Sequence, residues 1–380
     1  MKTFIFWLAV LILGLTIMSP GAEQRPRLRE FGIKTGILEP GPLNAITDVA
    51  GVKVGQVTLI AGEDIRTGVT AILPHDGNIF QEKVPAAVYV ANGFGKLTGT
   101  TQVEEFGNLE TPIILTNILS VPTAADAVLD YVLGLPENEG VESVNPIVGE
   151  TNDGWLNDIR GRHVKKEHVL KAIKNAKEGP VEEGAVGAGT GTICYNFKGG
   201  IGTSSRKFQA AQGGYTVGVL VQTNHGGVFQ IAGIPVAERL GRIGKKTARE
   251  LPPRADASIE GSCMIIVATD APLDSRNLKR LAKRAVLGIA RTGGYNSNAS
   301  GDYAIAFSTA KDLRIPFRSE SPTQTVTLLR NENVSRLFLA AVEATEEAIL
   351  NSLFKARRME GKGGRVVEAL PLDKIKDVMK

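Results

Sequence analysis

A serine that directly follows a glycine, at the start of an apolar run, is the most promising chemical feature of this sequence. Gly261 and Ser262 precede residues 263–268, whose apolar character predicts a buried strand. If the chain were cut between them, the Ser262 hydroxyl and its own new α-amino group would supply nucleophile and base from one residue. Gly261 would allow a strained backbone before the cut. A Gly-Ser pair alone, however, is also typical of an ordinary turn.

Motifs of several common enzyme classes are absent from the sequence. The four histidines are scattered and form no metal-binding pattern, so we expect no metal ion. No Gly-x-Ser-x-Gly turn of the α/β-hydrolases occurs. Residues 187–191 lack the strand-helix unit and downstream acid of a dinucleotide site, and residues 198–205 lack the spacing of a phosphate-binding loop. We therefore expect no cofactor.

The composition is that of a globular protein. Of the 380 residues, 43% are hydrophobic and 22% are charged, which argues against disorder and against a multi-span membrane protein. The formal net charge is only +4, and no basic stripe alternates with aromatic residues, so we expect no nucleic-acid partner. The 43 glycines cluster around short apolar runs, which indicates tight turns between strands.

The amino terminus has the residue order of a secretory signal peptide. Lys2 precedes an apolar run that ends at Met18, and small residues follow as far as Ala22. Removal of residues 1–21 would leave a periplasmic or secreted protein with no stable membrane insertion. An uncleaved membrane anchor is the alternative.

The two cysteines allow two interpretations. In an oxidising compartment Cys194 and Cys263 could form a disulfide, and the alternative is two buried thiols that pack as small apolar side chains. A nucleophilic role for Cys263 is not favoured, because consecutive side chains of a strand face opposite sides. We expect Cys263 to point away from the face that presents Ser262.

Short strands and grouped helices would position these residues. A hairpin is predicted within residues 46–60, and strands are predicted at residues 68–73, 86–91, 112–116, 216–222, 262–268, 304–308 and 326–329. Helices are predicted at residues 124–135, 163–177, 274–293 and 334–357. This grouping favours helix layers on a sheet core over alternating parallel units, so we predict a layered α/β sandwich.

Several long motifs in a fixed order connect the chain to a known family. They occupy residues 44–55, 66–70, 115–120, 149–154, 197–206 and 267–272. Through them the chain resembles the L-aminopeptidase D-amidase/D-esterases and the β-peptidyl aminopeptidases, which are self-cleaving N-terminal-nucleophile hydrolases. The resemblance implies an αββα sandwich whose precursor cuts itself ahead of a serine on a central strand. That serine would be Ser262, within one catalytic domain of residues 22–380 that is divided into 22–261 and 262–380.

The resemblance also implies roles for residues far from the cut in sequence. Ser300 and Asp302 occupy the place of a second serine and an acid that orient the proton at the Ser262 amine. The acid is glutamate in some relatives, one methylene longer than Asp302. Asn224 occupies the place of an amide that donates to the developing oxyanion, although an asparagine after a strand is also common in turns.

The resemblance assigns three further residues to substrate binding. Glu150 resembles the acid that receives the substrate's free ammonium group. Trp155 is a candidate for the pocket wall, with ordinary packing as the alternative. Some members carry a tyrosine where this chain has Asn152, a departure that removes a phenol from the pocket.

These observations predict a serine aminopeptidase or amidase that acts on small peptides, amides or esters through an acyl-enzyme on Ser262. By resemblance alone, we expect an oligomer of cleaved chain pairs. One alternative is acyl transfer to an amine, as in the ornithine acetyltransferases, which use threonine. Another is a non-catalytic binding protein on the same scaffold.

Overall fold

Strands and helices of the computed structural model are described for residues 25–241 and 261–379. The predicted signal peptide, residues 1–21, lies outside the described residues. The strands are β1 Lys53–Ala61, β2 Ile65–Leu73, β3 Glu82–Gly93, β4 Asn108–Leu109, β5 Ile113–Asn117, β6 Ile147–Thr151, β7 Ile193–Cys194, β8 Phe197–Lys198, β9 Ile201–Lys207, β10 Thr216–His225, β11 Gly261–Thr269, β12 Gly301–Ser308, β13 Ile315–Pro316, β14 Met359–Gly361 and β15 Arg365–Val367. The helices are α1 Thr100–Phe106, α2 Val121–Leu133, α3 Lys166–Lys174, α4 Val236–Arg239, α5 Ser275–Arg291, α6 Ser335–Lys355 and α7 Leu372–Val378. Among the residues described, every helix is too short or too polar to span a bilayer.

Two sheets form the centre of the structure. The small sheet has the strand order β1-β2-β5-β6, with β5 and β6 parallel and the other pairs antiparallel. The large sheet has the order β13-β3-β12-β11-β10-β9, with β4 paired to β3. Its strands β11 and β12 are parallel, and β10 is antiparallel to both β9 and β11. The strand that begins with Gly261 and Ser262 therefore lies inside the large sheet, between β10 and β12.

Helices cover the outer face of each sheet. Ile265 of β11 belongs to the apolar core shared with α5 and α6, together with Leu281. The next residue, Ile266, belongs instead to the core between the two sheets, together with Leu115 of β5. A third apolar core joins the small sheet to α2 and α3. The order helix, sheet, sheet, helix confirms the predicted αββα sandwich.

Most predicted elements are present with ends shifted by a few residues, and local signals explain why. The helix predicted from residue 274 begins at Ser275, because the Asp274 carboxylate accepts the Asn277 N–H at 2.8 Å and caps the first turn. The strand predicted at residues 326–329 is wrong. Val326 and Leu328 are 42% and 41% exposed, so their alternation faces no core and no neighbouring strand pairs with them among the described residues.

Of the strands that were not predicted from the sequence, β6 and β9 are the longest. Both contain buried polar residues, such as Glu150 in β6 and Ser204 and Ser205 in β9, which interrupt the apolar pattern. Partners far away in sequence satisfy the hydroxyls of Ser204 and Ser205. The Ser205 hydroxyl, for example, donates to Asp48 at 2.6 Å. Such contacts leave no local signal.

Candidate active site

Ser262 lies at the beginning of β11, in the interior of the large sheet. Asn224 on β10 is directly opposite it on one side, and Gly301 on β12 is opposite it on the other. The Ser262 hydroxyl donates to the Gly261 carbonyl oxygen at 2.7 Å and accepts the Gly301 N–H at 3.4 Å. Ser262 is only 4% exposed. A buried hydroxyl is thus held against the peptide group that precedes it.

The residue before Ser262 must be glycine in this backbone. Gly261 has φ +82°, a conformation that L side chains rarely adopt. A Cβ atom at this position would lie 2.2 Å from the Asn224 carbonyl oxygen and 2.4 Å from the His225 Cα atom. Both the dihedral angle and the close approach of β10 therefore exclude a side chain here.

A single backbone hydrogen bond orients the Asn224 side chain. Its Oδ1 atom accepts the Ile193 N–H at 2.9 Å. Because a backbone N–H can only donate, this contact fixes which branch of the amide is the oxygen. Opposite residues on neighbouring strands share one face of a sheet, so Asn224 and Ser262 project on the same side. The NH₂ branch of Asn224 is thereby left as a donor on the face that presents the serine.

Ser300 and Asp302 flank the glycine opposite Ser262. The Ser300 hydroxyl donates to Asp302 Oδ1 at 2.8 Å, whereas Oδ2 is buried without a hydrogen bond from any described residue. Burial raises the pKa of Asp302 to about 6, although the Ser300 hydroxyl and the Cys263 N–H favour the charged form. Asp302 is paired in register with Cys263, which faces α5 and α6. The carboxylate and the Ser262 hydroxyl therefore lie on opposite faces of the large sheet.

Glu150 lies on β6, the edge strand of the small sheet, with one oxygen unused. Oε1 accepts the Lys96 N–H at 2.9 Å, and Oε2 is buried with no hydrogen bond from any described residue. Burial raises the pKa of Glu150 to about 7, and the negative charge of Asp153 acts in the same direction. The Lys96 N–H and ammonium group oppose this shift. Glu150 is therefore a buried acid that a cation would favour in its charged form.

Glu150 is connected to the serine through Tyr303 and two glycines. A Cβ atom on Gly95 would lie 2.6 Å from Glu150 Oε1 and 3.1 Å from the Tyr303 hydroxyl. A Cβ atom on Gly301 would lie 3.2 Å from the Tyr303 ring and 3.3 Å from Gly95 Cα. Gly301 is paired with Ser262 on the neighbouring strand. The Glu150 carboxylate is therefore separated from the serine only by these neighbouring residues.

A cavity of about 330 Å³ brings together three predicted site residues, Asn152, Trp155 and Asn224. The other predicted site residues do not line it. Its full lining is Asn152, Trp155, Ile193, Tyr195, Asn196, Asn224, His225, Gly226, Val366, Val367 and Glu368. Ser300 and Asp302 line a smaller void that shares His225 and Gly226 with this cavity. Five of the predicted site residues thus line two adjoining spaces around the end of β10, whereas Gly261, Ser262 and Glu150 line neither of them.

The side of this cavity around Trp155 is built from two distant parts of the chain. The guanidinium of Arg365, on the β14–β15 hairpin, lies 4.3 Å from the centre of the Trp155 ring and donates to the Trp155 carbonyl oxygen at 3.3 Å. Asn152 is oriented by its own loop, because its Oδ1 atom accepts the Gly154 N–H at 2.9 Å. Both residues are held in place without a ligand.

Two residues beside the site were not predicted. His225 is buried, with Nε2 3.1 Å from the Tyr195 hydroxyl, and burial lowers its pKa to about 4, so the ring is neutral at pH 7. Lys198 is fully buried, and one peptide group, between Thr192 and Ile193, separates it from the Asn224 side chain. It lies within the motif at residues 197–206, and a lysine among glycines and apolar residues was the one signal that could have identified it.

Cys194 and Cys263 are both free, buried thiols. The Cys263 side chain belongs to the core between the large sheet and its helices, which confirms the direction predicted for it. Within the described part of the chain, no group of three or more histidine, cysteine or carboxylate side chains could hold a metal ion.

Comparisons with known proteins agree on one family. Residues 44–367 match the model of peptidase family S58. Beta-peptidyl aminopeptidase BapA of Sphingosinicella microcystinivorans is 40% identical over 385 residues, covering 97% of this chain and 96% of that protein. A solved structure from Pyrococcus horikoshii OT3 has a TM-score of 0.85 at 50% identity, covering 93% of this chain and 98% of that one. The L-aminopeptidase D-Ala-esterase/amidase of Ochrobactrum anthropi, a prototype for the serine aminopeptidases with a variant N-terminal-nucleophile hydrolase fold, has a TM-score of 0.84 at 38% identity and the same coverages.

Proposed function

The chain belongs to peptidase family S58 as an aminopeptidase with the N-terminal-nucleophile hydrolase fold, and on that premise we propose that it cuts itself before Ser262 and then uses Ser262 as its nucleophile. The family resemblance predicted from the motifs is confirmed. The observation that carries the proposal is the geometry before the serine. Gly261 occupies a backbone that excludes a side chain, and the next hydroxyl lies 2.7 Å from its carbonyl oxygen.

The first step of the proposal is an attack of Ser262 on its own chain. The serine oxygen adds to the Gly261 carbonyl carbon, and the peptide C–N bond breaks. The hydroxyl proton passes to the nitrogen, so the glycyl group becomes an ester of the serine and the nitrogen becomes an amine. Water then hydrolyses the ester, which leaves a carboxylate on Gly261 and restores the hydroxyl. The products are residues 22–261 and 262–380 of one catalytic domain.

In each later turnover, the new α-amino group of Ser262 accepts the hydroxyl proton as the oxygen attacks the acyl carbon of the substrate. The leaving amine or alcohol takes that proton, and water releases the acyl group from the serine. Asn224 is suited to stabilise the oxyanion, because its NH₂ branch lies on the same face of the sheet as Ser262 and donates to none of the described residues. A donor of this kind commonly contributes ~3 to 4 kcal/mol to transition-state stabilisation.

Ser300 and Asp302 would stabilise the protonated form of the Ser262 α-amino group, which is the proposed base. The nitrogen of Ser262 lies within the sheet, so groups on either face can approach it once it is an amine. The unpartnered Oδ2 atom of Asp302 is suited to an ammonium group, and the 2.8 Å hydrogen bond from Ser300 fixes the carboxylate. An ammonium formed at Ser262 during attack would be stabilised there.

Glu150 would give the enzyme its requirement for a free amino terminus. Its unpartnered Oε2 atom can accept a substrate ammonium, and a charge-assisted hydrogen bond in a buried site is stronger than a neutral one. The cavity with Trp155 and Asn152 would hold another part of a small peptide, amide or ester. We further propose that the protein is exported, acts in the periplasm or outside the cell, and assembles as an oligomer of cleaved pairs.

Intact-mass measurement of the wild type and Ser262→Ala, followed by a panel of chromogenic aminoacyl amides, tests the proposal. We expect two wild-type fragments, one beginning at Ser262, and a single inactive chain for the variant. Cys263→Ala is the matched control. It changes the neighbouring side chain on the opposite face, so cleavage and activity should persist.

Two outcomes would change the assignment. An uncleaved chain that still releases product would contradict the mechanism. Faster product release when an amine acceptor is added would indicate acyl transfer in place of hydrolysis, because the same ester intermediate can be captured by either nucleophile.

A further inference from the structure

Lys198 is a fully buried amine held by main-chain oxygens, and burial lowers its pKa to about 7. Its Nζ atom donates to the carbonyl oxygens of Gly189, Thr192 and Gly199 at 3.0, 2.8 and 2.8 Å. An ammonium group has three N–H donors, so these three acceptors use all of them. No carboxylate of the described residues lies within ion-pair distance of it, although the charge of Asp153 favours the ammonium form. Burying an ammonium group without a paired anion is costly, which makes a purely passive role a poor explanation.

One of these carbonyls belongs to the peptide group that orients Asn224. The oxygen of the peptide group between Thr192 and Ile193 accepts a hydrogen bond from the Lys198 ammonium. The N–H of the same peptide group donates to Asn224 Oδ1 at 2.9 Å. A continuous chain of hydrogen bonds therefore runs from the ammonium, through one peptide group, to the amide. Hydrogen bonds in such a chain polarise and strengthen one another.

We propose that Lys198 is a positioning residue that acts through Asn224. It holds the Thr192–Ile193 peptide so that Asn224 keeps its oxygen turned to Ile193 and its NH₂ group available to the reacting carbonyl. By drawing electron density along the chain, it also makes that NH₂ group a stronger donor to the oxyanion. The inference rests on the proposed function, because it requires Asn224 to be the oxyanion donor.

This role predicts a specific kinetic signature. The oxyanion exists only in the transition state, so a weaker or misdirected donor should lower kcat and leave KM nearly unchanged. Simple loosening of the loop at residues 187–200 should instead lower the melting temperature. The two effects are separated when kcat is expressed per mole of chain that begins at Ser262.

A double-mutant cycle with Lys198→Met and Asn224→Ala tests the proposal on a chromogenic aminoacyl amide. We expect Asn224→Ala to lower kcat by roughly 10²- to 10³-fold. Lys198→Met alone should lower kcat by about tenfold, within the coupling range of residues that share one hydrogen-bond network. In the Asn224→Ala background, the same lysine substitution should cost less than about twofold, because its target is already absent.

Thr190→Val is the matched control for lost packing. It removes the buried 2.6 Å hydrogen bond from the Thr190 hydroxyl to the Gly187 carbonyl oxygen in the same loop, without touching the chain that leads to Asn224. We expect a lower melting temperature and an unchanged kcat. If Lys198→Met does not yield cleaved protein, Lys198→Gln, which keeps two donors without charge, takes its place in the cycle.

Additive effects in the cycle, or an equal loss of kcat in Thr190→Val, would overturn the inference. So would failure of both lysine variants to give cleaved protein while Asn224→Ala cleaves normally, since Lys198 would then serve folding alone. The proposed function fails separately, if Ser262→Ala keeps its activity. An active, Ser262-dependent wild type with an additive cycle therefore overturns only the role of Lys198.

Discussion

Two groups of buried charged side chains differ in whether all of their charged atoms have a partner among the described residues. Beside α6, the guanidinium of Arg206 lies 3.2 Å from Glu343 Oε2 and 2.8 Å from Glu347 Oε2, and all three side chains are almost fully buried. Around β11, Glu150 and Asp302 are equally buried, yet each keeps one oxygen with no hydrogen bond from any described residue.

We infer that this difference separates charges that stabilise the fold from charges that take part in the proposed chemistry. An unsatisfied buried polar group costs about 1–3 kcal/mol, and more when it is charged, so a fold gains nothing by retaining one for packing alone. Arg206, together with Arg29 and nearby N–H donors, satisfies the carboxylates of Glu343 and Glu347 and ties α6 to β9. In the proposed mechanism, Glu150 would gain a partner when a substrate ammonium group arrives, and Asp302 would gain one from the new amino end at Ser262.

Removing the charge of Asp302 is expected to have the largest effect. Asp302→Asn keeps the size of the side chain but removes the acceptor proposed for the Ser262 ammonium, so kcat should fall by about 10²- to 10⁴-fold. The melting temperature should change little. Steady-state kinetics on the cleaved variant measures the loss.

Asp302→Glu is the control for this prediction, because some relatives carry glutamate and the charge is preserved. It should retain much more activity than Asp302→Asn. Equal activity of Asp302→Asn and the wild type would show that the unpartnered oxygen is not used in turnover.

Breaking the paired cluster should act on stability instead. Arg206→Met leaves Glu343 buried without its cation and Glu347 with Arg29 alone, and breaking such a buried pair typically costs about 3–5 kcal/mol of unfolding free energy. Denaturant unfolding measures this loss, and kcat per folded, cleaved molecule should be unchanged. Lys166→Met is the control, because its ion pairs with Asp126 and Asp130 are solvent-exposed and should contribute less than ~1 kcal/mol.

Local pattern made part of this arrangement predictable. The apolar run after Ser262 and the capping residue Asp274 each specify an element from neighbouring residues, and β11 and α5 lie where they were expected. The αββα order came from family motifs, because stacking two sheets depends on contacts between distant segments. The strand predicted at residues 326–329 is wrong, since alternating apolar and polar residues indicate a strand only where one side faces a core.

The polar geometry of the site could not be read from local sequence. The pairing of Ser262 with Asn224 depends on strand register across residues far apart in the chain. The ammonium of Lys198 is held by carbonyl oxygens, which every residue possesses, so no side-chain motif reports them. The unpartnered oxygens of Glu150 and Asp302 are likewise properties of the packed structure.

The smallest expected effect is the change in folding stability with pH that Glu150 causes. Its sign is opposite to the one usual for a carboxylate. Burial raises its pKa from 4.5 to about 7, so as pH rises through 4.5 the unfolded chain loses its proton first while the folded protein keeps it. Folding stability should therefore fall between pH 4.5 and about 7, by ~3 kcal/mol in total, and stay level above that range.

Glu150→Gln removes this dependence. The variant should become more stable than the wild type as pH rises to about 7, although its KM for substrates with a free amino group should increase. Denaturant unfolding at pH 5 and pH 8 measures the first effect, and kinetics with free and N-acetylated substrates measures the second, which should appear only with the free amine. Parallel pH–stability curves for the two proteins would contradict a buried, unpaired carboxylate, and an unchanged KM would remove Glu150 from substrate binding.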